Sequence, residues 1–262
     1  MTPWLSIVGL GEDGLDGISS PGRILIDQAE VLVGAARHLA MAPADHPAER
    51  LQWSSPLDDT IAEILERRSR RVCILATGDP LWYGIGATLA GVLEASEMTV
   101  IPSPSAFSLA CANLVWPLAE TDCFTLHGRP LDSLRLHLAP GARLVMLATD
   151  GDSPAQIAAL LRDAGYGASP ITVFEHMGGT DERRVEGIAE SWDRPATAAL
   201  NTVAVECRAG ADAAPRPRGP GLPDDAYEND GQLTKRETRA VTLAALAPLP
   251  GQRLWDVGAG CG

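Results

Sequence analysis

The stretch richest in chemistry is Ala76-Thr77-Gly78-Asp79-Pro80-Leu81-Trp82-Tyr83-Gly84-Ile85-Gly86. Its glycines let backbone groups approach a ligand closely, and a carboxylate and two aromatic rings stand among them. An apolar run at 71–77 precedes it and a helical pattern at 84–95 follows. The stretch therefore lies at the carboxyl end of a strand, where α/β sheets bind ligands. A bare Gly-Asp-Pro is also a β-turn of good turn residues, but a turn does not explain the longer string. A second loop, Gly9, Gly11 and Gly14, spells G-x-G-x-x-G after the apolar run 5–10, with Glu30 at the distance of a ribose-binding acid. Alone, it predicts a nicotinamide-dependent reductase. Gly14, Gly17, Pro21 and Gly22 break the long helix that such a site aims at a pyrophosphate, which counts against that reading.

Few other groups stand out as reactive. No nucleophile, base and orienting group form a recognisable triad; Glu175 and His127 are the candidates for a general base. His127-Gly128-Arg129 follows a strand pattern, where a loop overlooks a cleft. Arg37, His38 and Arg129 suit a carboxylate-bearing ligand, because guanidinium grips carboxylates in a two-pronged geometry. Cys73, Cys111, Cys123, Cys207 and Cys261 are odd in number and never spaced C-x-x-C, so buried free thiols are expected rather than disulfides or a metal site. With 21 basic against 34 acidic residues the net charge is −13, the wrong sign for a nucleic-acid binder. A polyanionic ligand would need a local basic cluster set against that field.

The elements that must position these groups alternate. Strands are expected at 5–10, 31–33, 71–77 and 98–101, and helices at 20–30, 58–68, 84–95 and 104–114. Ser20 is the expected N-cap of the first helix, with Pro21 at its first helical position. The pattern restarts after Val115-Trp116-Pro117, with strands at 123–127, 143–148, 171–175 and 202–207 and a helix at 155–164. Hydrophobic residues make up 45% and aromatics 5%, which suits helices packed on a largely parallel sheet. The sequence thus divides into an α/β lobe at 1–117, a second at 118–208 and a Pro- and Gly-rich linker at 209–226 carrying Pro215, Pro217, Pro220 and Pro223. Beyond it, residues 227–262 read as a helix at 234–246 and a strand at 253–257 running into a Gly-rich turn at 258–262. The helix that should follow is missing, so this reads as the truncated start of a further, Rossmann-like domain. Apolar runs are only strand-length and no leader is visible at Met1-Thr2-Pro3-Trp4, so a cytoplasmic chain is expected, without membrane or nucleic-acid partners.

The 76–86 string resembles the cofactor motif of the tetrapyrrole methylases that build sirohaem and cobalamin. These are two-lobed α/β enzymes that bind S-adenosylmethionine between the lobes. The resemblance runs along residues 4–207: Ile7-Val8-Gly9-Leu10-Gly11 is similar to the family's first glycine loop near the substrate trough, and Ile101-Pro102-Ser103-Pro104-Ser105-Ala106 to its turn near the cofactor. Val145-Met146-Leu147-Ala148 resembles the second-lobe strand whose end contacts the cofactor, and Glu175-His176-Met177-Gly178 with Glu182-Arg183-Arg184 a late acidic segment. Val33-Gly34-Ala35-Ala36-Arg37-His38-Leu39 resembles the signature of the CbiE-type precorrin methylases, and 233–240 with 256–262 the start of a CbiT-type methyltransferase. The first loop reads Gly11-Glu12-Asp13-Gly14, departing from many members, which weakens the transfer of loop roles.

The resemblance implies methylation of a precorrin at ring carbon 5. Methylation at carbon 15 and loss of carbon dioxide from an acetate on carbon 12 would fall to the CbiT-type part. It implies S-adenosyl-L-methionine as cofactor, S-adenosyl-L-homocysteine as product, and a homodimer. Cofactor residues would be Gly78, Asp79, Pro80, Tyr83, Gly84, Ser105, Ala106, Leu147 and Met177. Substrate residues would be Gly9, Gly11, Arg37, His38 and Arg129. An electron-rich ring carbon leaves the protein mainly to orient the partners and exclude water, an effect reaching about 7–11 kcal/mol. Two other readings remain: a tetrapyrrole-binding module that docks substrate for a CbiT-type partner, and a tetrapyrrole methylase acting on a different ring carbon.

Overall fold

A computed structural model describes residues 3–217 and 219–258 of the chain. The first sheet grows from βα units: β1 (Leu5–Leu10), α1 (Ser20–Asp27), β2 (Val31–Gly34), α2 (Ala36–Met41), β3 (Glu49–Gln52), α3 (Leu57–Glu66), β4 (Val72–Thr77), α4 (Ile85–Leu89) and β5 (Met98–Ile101). Its strands lie in the order β3-β2-β4-β1-β5, all parallel. Helices cover both faces, so central strands must be apolar on both sides, and β1 is buried along its whole length. Ile7 and Ile74 enter one core with Val31 and Ile64, while Val8 and Leu75 enter the opposite core with Leu32 and Ile26.

α5 (Ala106–Leu114) leaves the first sheet and packs Phe107, Ala110 and Cys111 against Val145, Phe174 and Ala204 of the second. That sheet comprises β6 (Thr121–Thr125), β7 (Arg143–Leu147), β8 (Pro170–Glu175), β9 (Arg183–Ile188) and β10 (Asn201–Glu206), with α6 (Ser153–Asp163) on its other face. Its order is β6-β7-β10-β8-β9, and only β6 and β7 run parallel. The expectation of a largely parallel sheet therefore fails here. The connection from β8 to β9 is too short for a crossover helix, so the pair must be antiparallel.

Local differences have local causes. Ser19, not Ser20, caps α1 by accepting the Gly22 N–H at 3.4 Å. The helix expected at 84–95 shrinks to α4, interrupted by glycines at both ends of its register. β3 and β9 are edge strands with few apolar residues, so neither shows an apolar run in the sequence. In the tail, α7 (Arg236–Leu246) forms, but 253–257 is exposed and not a strand. Most of the Gly-rich turn expected at 258–262, Cys261 included, lies outside the described residues.

Candidate active site

The carboxyl end of the first sheet and the edge of the second formed by the ends of β6 and β7 and the start of β10 face one cavity of about 940 Å³, near the upper end of the roughly 300–1,000 Å³ usual for ligand clefts. One wall comes from the first sheet: the loop following β4, the start of α2, and the N-terminus of α5. The other comes from the ends of β6 and β7, the His127–Arg129 turn, and the 199–202 entry to β10. Gly78, Asp79, Tyr83, Gly84, Ser105, Ala106 and Leu147 thus meet in one place with Arg37, His38, His127 and Arg129, although they span more than ninety sequence positions.

The first wall is shaped by backbone. Gly78 has φ +58°, a conformation that costs glycine little. A Cβ at Gly84 or Gly86 would lie 2.6 or 2.7 Å from the Pro80 carbonyl oxygen, so both glycines keep this loop folded on itself. Asp79 lines the cavity while its Oδ1 accepts the Leu81 N–H at 2.9 Å, so turn-capping and ligand-facing roles coexist in one side chain. Trp82 lies tilted by 36° against the buried Phe107 with centroids 4.7 Å apart, and Tyr83 meets the same ring edge-on at 6.1 Å. The Arg129 guanidinium sits 5.6 Å from the Tyr83 centroid, tying the second wall to the first.

Several expected residues take other roles. Pro80 is buried and does not line the cavity; its carbonyl is the floor beneath Gly84 and Gly86. Gly9 does not line it either. A Cβ there would stand 1.9 Å from the Gly78 oxygen, and its own carbonyl accepts the Ser103 hydroxyl at 2.7 Å, so Gly9 lets two loops touch. Gly11 and Met177 fall in a narrow recess of about 50 Å³ that shares Thr77, Gly78, Ala106 and Asn201 with the main cavity. Glu175 is a poor base. Its buried carboxylate accepts two Arg183 N–H groups and the Ala198 N–H at 2.7 Å, and it lines neither space. The hydrogen bonds from Arg183, foremost, hold its pKa below the usual carboxylate range. His127 does line the cavity, and its backbone N–H is anchored on Thr125 Oγ1 at 3.1 Å.

His38 cannot serve as a cation for carboxylates at neutral pH. Burial, reinforced by the neighbouring Arg37, pulls its pKa down to about 4. Its Nε2 meets Thr77 Oγ1 at 3.2 Å. Arg37 lines the cavity, donating to Thr77 Oγ1 at 2.6 Å and to Glu12. The charged lining is therefore Arg37 and Arg129 against Asp79, locally basic within a chain of net charge −13. Sequence reasoning missed Phe107, Glu12 and Asn201. The Asn201 amide donates to the Asp150 and Ala198 carbonyls at 2.9 and 2.8 Å, which fixes the strand entry lining the cleft. Nothing in the sequence marks that Asn, because its partners matter only once the fold brings them together. Among the described residues, no three His, Cys, Asp or Glu side chains converge as metal ligands, and no helix is long and apolar enough to cross a membrane.

Comparison with known proteins places this cleft in context. Residues 5–192 match the family described as Tetrapyrrole (Corrin/Porphyrin) Methylases, and residues 225–262 match a Precorrin methyltransferase domain. The chain is 43% identical over 262 residues to a precorrin-6Y C(5,15)-methyltransferase (decarboxylating) of Sinorhizobium sp., covering all of this chain and 63% of that protein. It is 31% identical over 180 residues to the cobalt-precorrin-7 C(5)-methyltransferase of Salmonella typhimurium, covering 68% of this chain and 88% of that one. The chain thus spans under two thirds of the first relative and most of the second. Among solved structures, a cobalamin-biosynthesis precorrin-6Y methylase (cbiE) from Archaeoglobus fulgidus superimposes with a TM-score of 0.61 at 26% identity, covering 78% of this chain and 98% of that one.

Proposed function

The chain belongs to the tetrapyrrole (corrin/porphyrin) methylase family, and we propose that it moves a methyl group from S-adenosylmethionine to ring carbon 5 of a precorrin in cobalamin biosynthesis. The observation that carries this is the two-walled cleft itself, a glycine cradle facing an apolar second wall, with two arginines at its edge. The residues present fit an adenosyl cofactor. Gly78, Gly84 and Gly86 let the loop fold tightly on its own backbone around the cavity, and Asp79, the sole carboxylate among the described lining residues, offers a counter-charge to an ammonium group. Bound there, S-adenosylmethionine supplies an electrophilic methyl on its sulfonium. Gly78, Asp79, Tyr83, Gly84, Ser105, Ala106 and Leu147 hold it, while Met177 closes the recess beside it. Arg37 and Arg129 hold substrate carboxylates. Trp82 and Phe107 keep water from the reacting centre, where orientation does most of the work. His127 is placed to take a proton from the macrocycle.

The division at residue 117, with a linker at 209–226, belongs to the same proposal. So does a CbiT-type partner domain beginning near residue 227, which the match at 225–262 and the name of the Sinorhizobium relative support. That domain would carry the carbon-15 methylation and the decarboxylation. We place the enzyme in the cytoplasm as a homodimer. The test is calorimetry of S-adenosylhomocysteine with the chain and its Asp79→Ala variant. Micromolar binding that weakens at least about tenfold in the variant is expected, the loss of a charge-assisted contact. A folded chain that binds a porphyrin but no S-adenosylhomocysteine would point to a docking module instead.

A further inference from the structure

The first glycine loop carries a carboxylate that the reaction does not need. Glu12 follows β1, and its side chain, only 19% exposed, lies in the narrow recess beside the main cavity. One oxygen pairs with the Arg37 guanidinium; the other meets His176 Nδ1 at 3.1 Å, at the end of β8 in the second sheet. The backbone is built around this contact. A Cβ on Gly179, in the turn after His176, would come within 2.8 Å of the Glu12 side chain.

Arg37 is therefore shared between two spaces. It lines the main cavity, but the Glu12 that neutralises it lies in the recess. With Arg37 neutralised, the remaining charged lining is Arg129 against Asp79, which leaves the cleft without excess positive charge inside an acidic protein. A polycarboxylate entering it gains a second cation, beside Arg129, only by taking the place of Glu12. Arg37 is suited to such an exchange: its two Nη atoms already address separate acceptors, Glu12 and Thr77, so an incoming carboxylate can collect both in a two-pronged pairing.

We propose that Glu12 is a built-in competitor for the substrate's carboxylates, holding Arg37 in place across the two lobes through His176 until a carboxylate-bearing tetrapyrrole displaces it. The inference rests on the proposed function and names a positioning residue for it, since Glu12 acts only through Arg37.

The probe is uroporphyrin, which carries eight carboxylates, read by fluorescence against its uncharged octamethyl ester. Glu12→Gln should tighten uroporphyrin binding about threefold, the size of a half-exposed ion pair. Arg37→Ala should weaken it about tenfold, and in that background Glu12→Gln should have no further effect. His176→Ala, which loosens Glu12 without touching Arg37, should also tighten binding and serves if Glu12→Gln does not fold. None of these substitutions should alter binding of the ester. Weaker uroporphyrin binding in Glu12→Gln, equal effects on acid and ester, or additivity with Arg37→Ala would each overturn the proposal. S-adenosylhomocysteine affinity, measured alongside, separates the readings. Its absence would sink the methyltransferase assignment, whereas its presence with a failed cycle would sink only the role of Glu12.

Discussion

The two walls of the cleft are made of different materials. The first-sheet wall is shaped by backbone: Gly78 and Gly84 in it, and Gly9 and Gly86 behind it, stand where a Cβ would strike a neighbouring main chain or must carry a positive φ. The second-sheet wall is side chain and long-range support, with Leu147 and Leu200 facing the cavity while Glu175, Arg183 and Asn201 fix the strands behind them. A wall of backbone allows little substitution but needs few partners. A wall of side chains uses ordinary residues and depends on contacts distant in sequence.

The largest effect should separate two glycines, one behind the first wall and one in the second. Alanine at Gly9 places its Cβ 1.9 Å from the Gly78 oxygen and 2.7 Å from the Ser103 nitrogen, two atoms hydrogen-bonded to each other at 3.1 Å and anchored by the Gly78 N–H on the Leu10 oxygen. A loss of about 3 kcal/mol in denaturant unfolding is expected, together with the cofactor cradle. Alanine at Gly128, in the turn of the second wall, meets nothing within 4 Å and suffers only the strain of φ +70°, roughly 1 kcal/mol. Equal losses at the two sites would erase the contrast.

Acid should loosen the walls in sequence. His38 has a folded pKa of about 4 against 6.5 unfolded, so the unfolded chain binds more protons between those values. Its contribution is intact above pH 6.5 and is lost as pH falls toward 4, on the order of 2–3 kcal/mol. Glu175 is shifted downward from 4.5, so its contribution is intact above that pH and is lost as pH falls through its folded value. His38→Gln should flatten the upper limb of stability against pH and Glu175→Gln the lower one. A single limb that neither substitution alters would contradict the assignment.

The same difference in material explains what could be read from the sequence. The central strands β1 and β4 and the 76–86 loop were legible because buried parallel strands need continuous apolar runs and a backbone-built site needs glycine. The edge strands β3 and β9 were not, since Glu49-Arg50-Leu51-Gln52 and Arg183-Arg184-Val185-Glu186-Gly187-Ile188 spend most of their positions on solvent. The cavity residues of the first wall were mostly foreseen, although Gly9 and Pro80 shape the loops from outside. In the second wall Glu175 was misread as a base because Arg183 and Ala198, which occupy its oxygens, reach it only through the antiparallel β8–β9 pairing and the 176–200 turn. The expected strand at 253–257 has the right residues but, among the described residues, no neighbouring strand to pair with.

The first wall and the adjoining recess each hold one non-glycine residue in the left-handed region, Tyr83 at φ +58° and His176 at φ +46°. Glycine would relieve about 1 kcal/mol of strain at either place, yet it would add chain entropy to the unfolded state and remove the side chain. At Tyr83 the ring contacts Phe107, lies under Arg129 and faces the main cavity, so strain there is repaid by ligand contact. Tyr83→Gly should leave stability within about 1 kcal/mol and weaken S-adenosylhomocysteine about fivefold, the scale of one lost aromatic contact. His176 faces only the narrow recess and Glu12, so His176→Gly should leave that affinity unchanged. Calorimetry on the two variants decides: an equal loss in both would mean that the adenosyl ligand reaches the recess as well, and an unchanged Tyr83→Gly would take the ring out of the site.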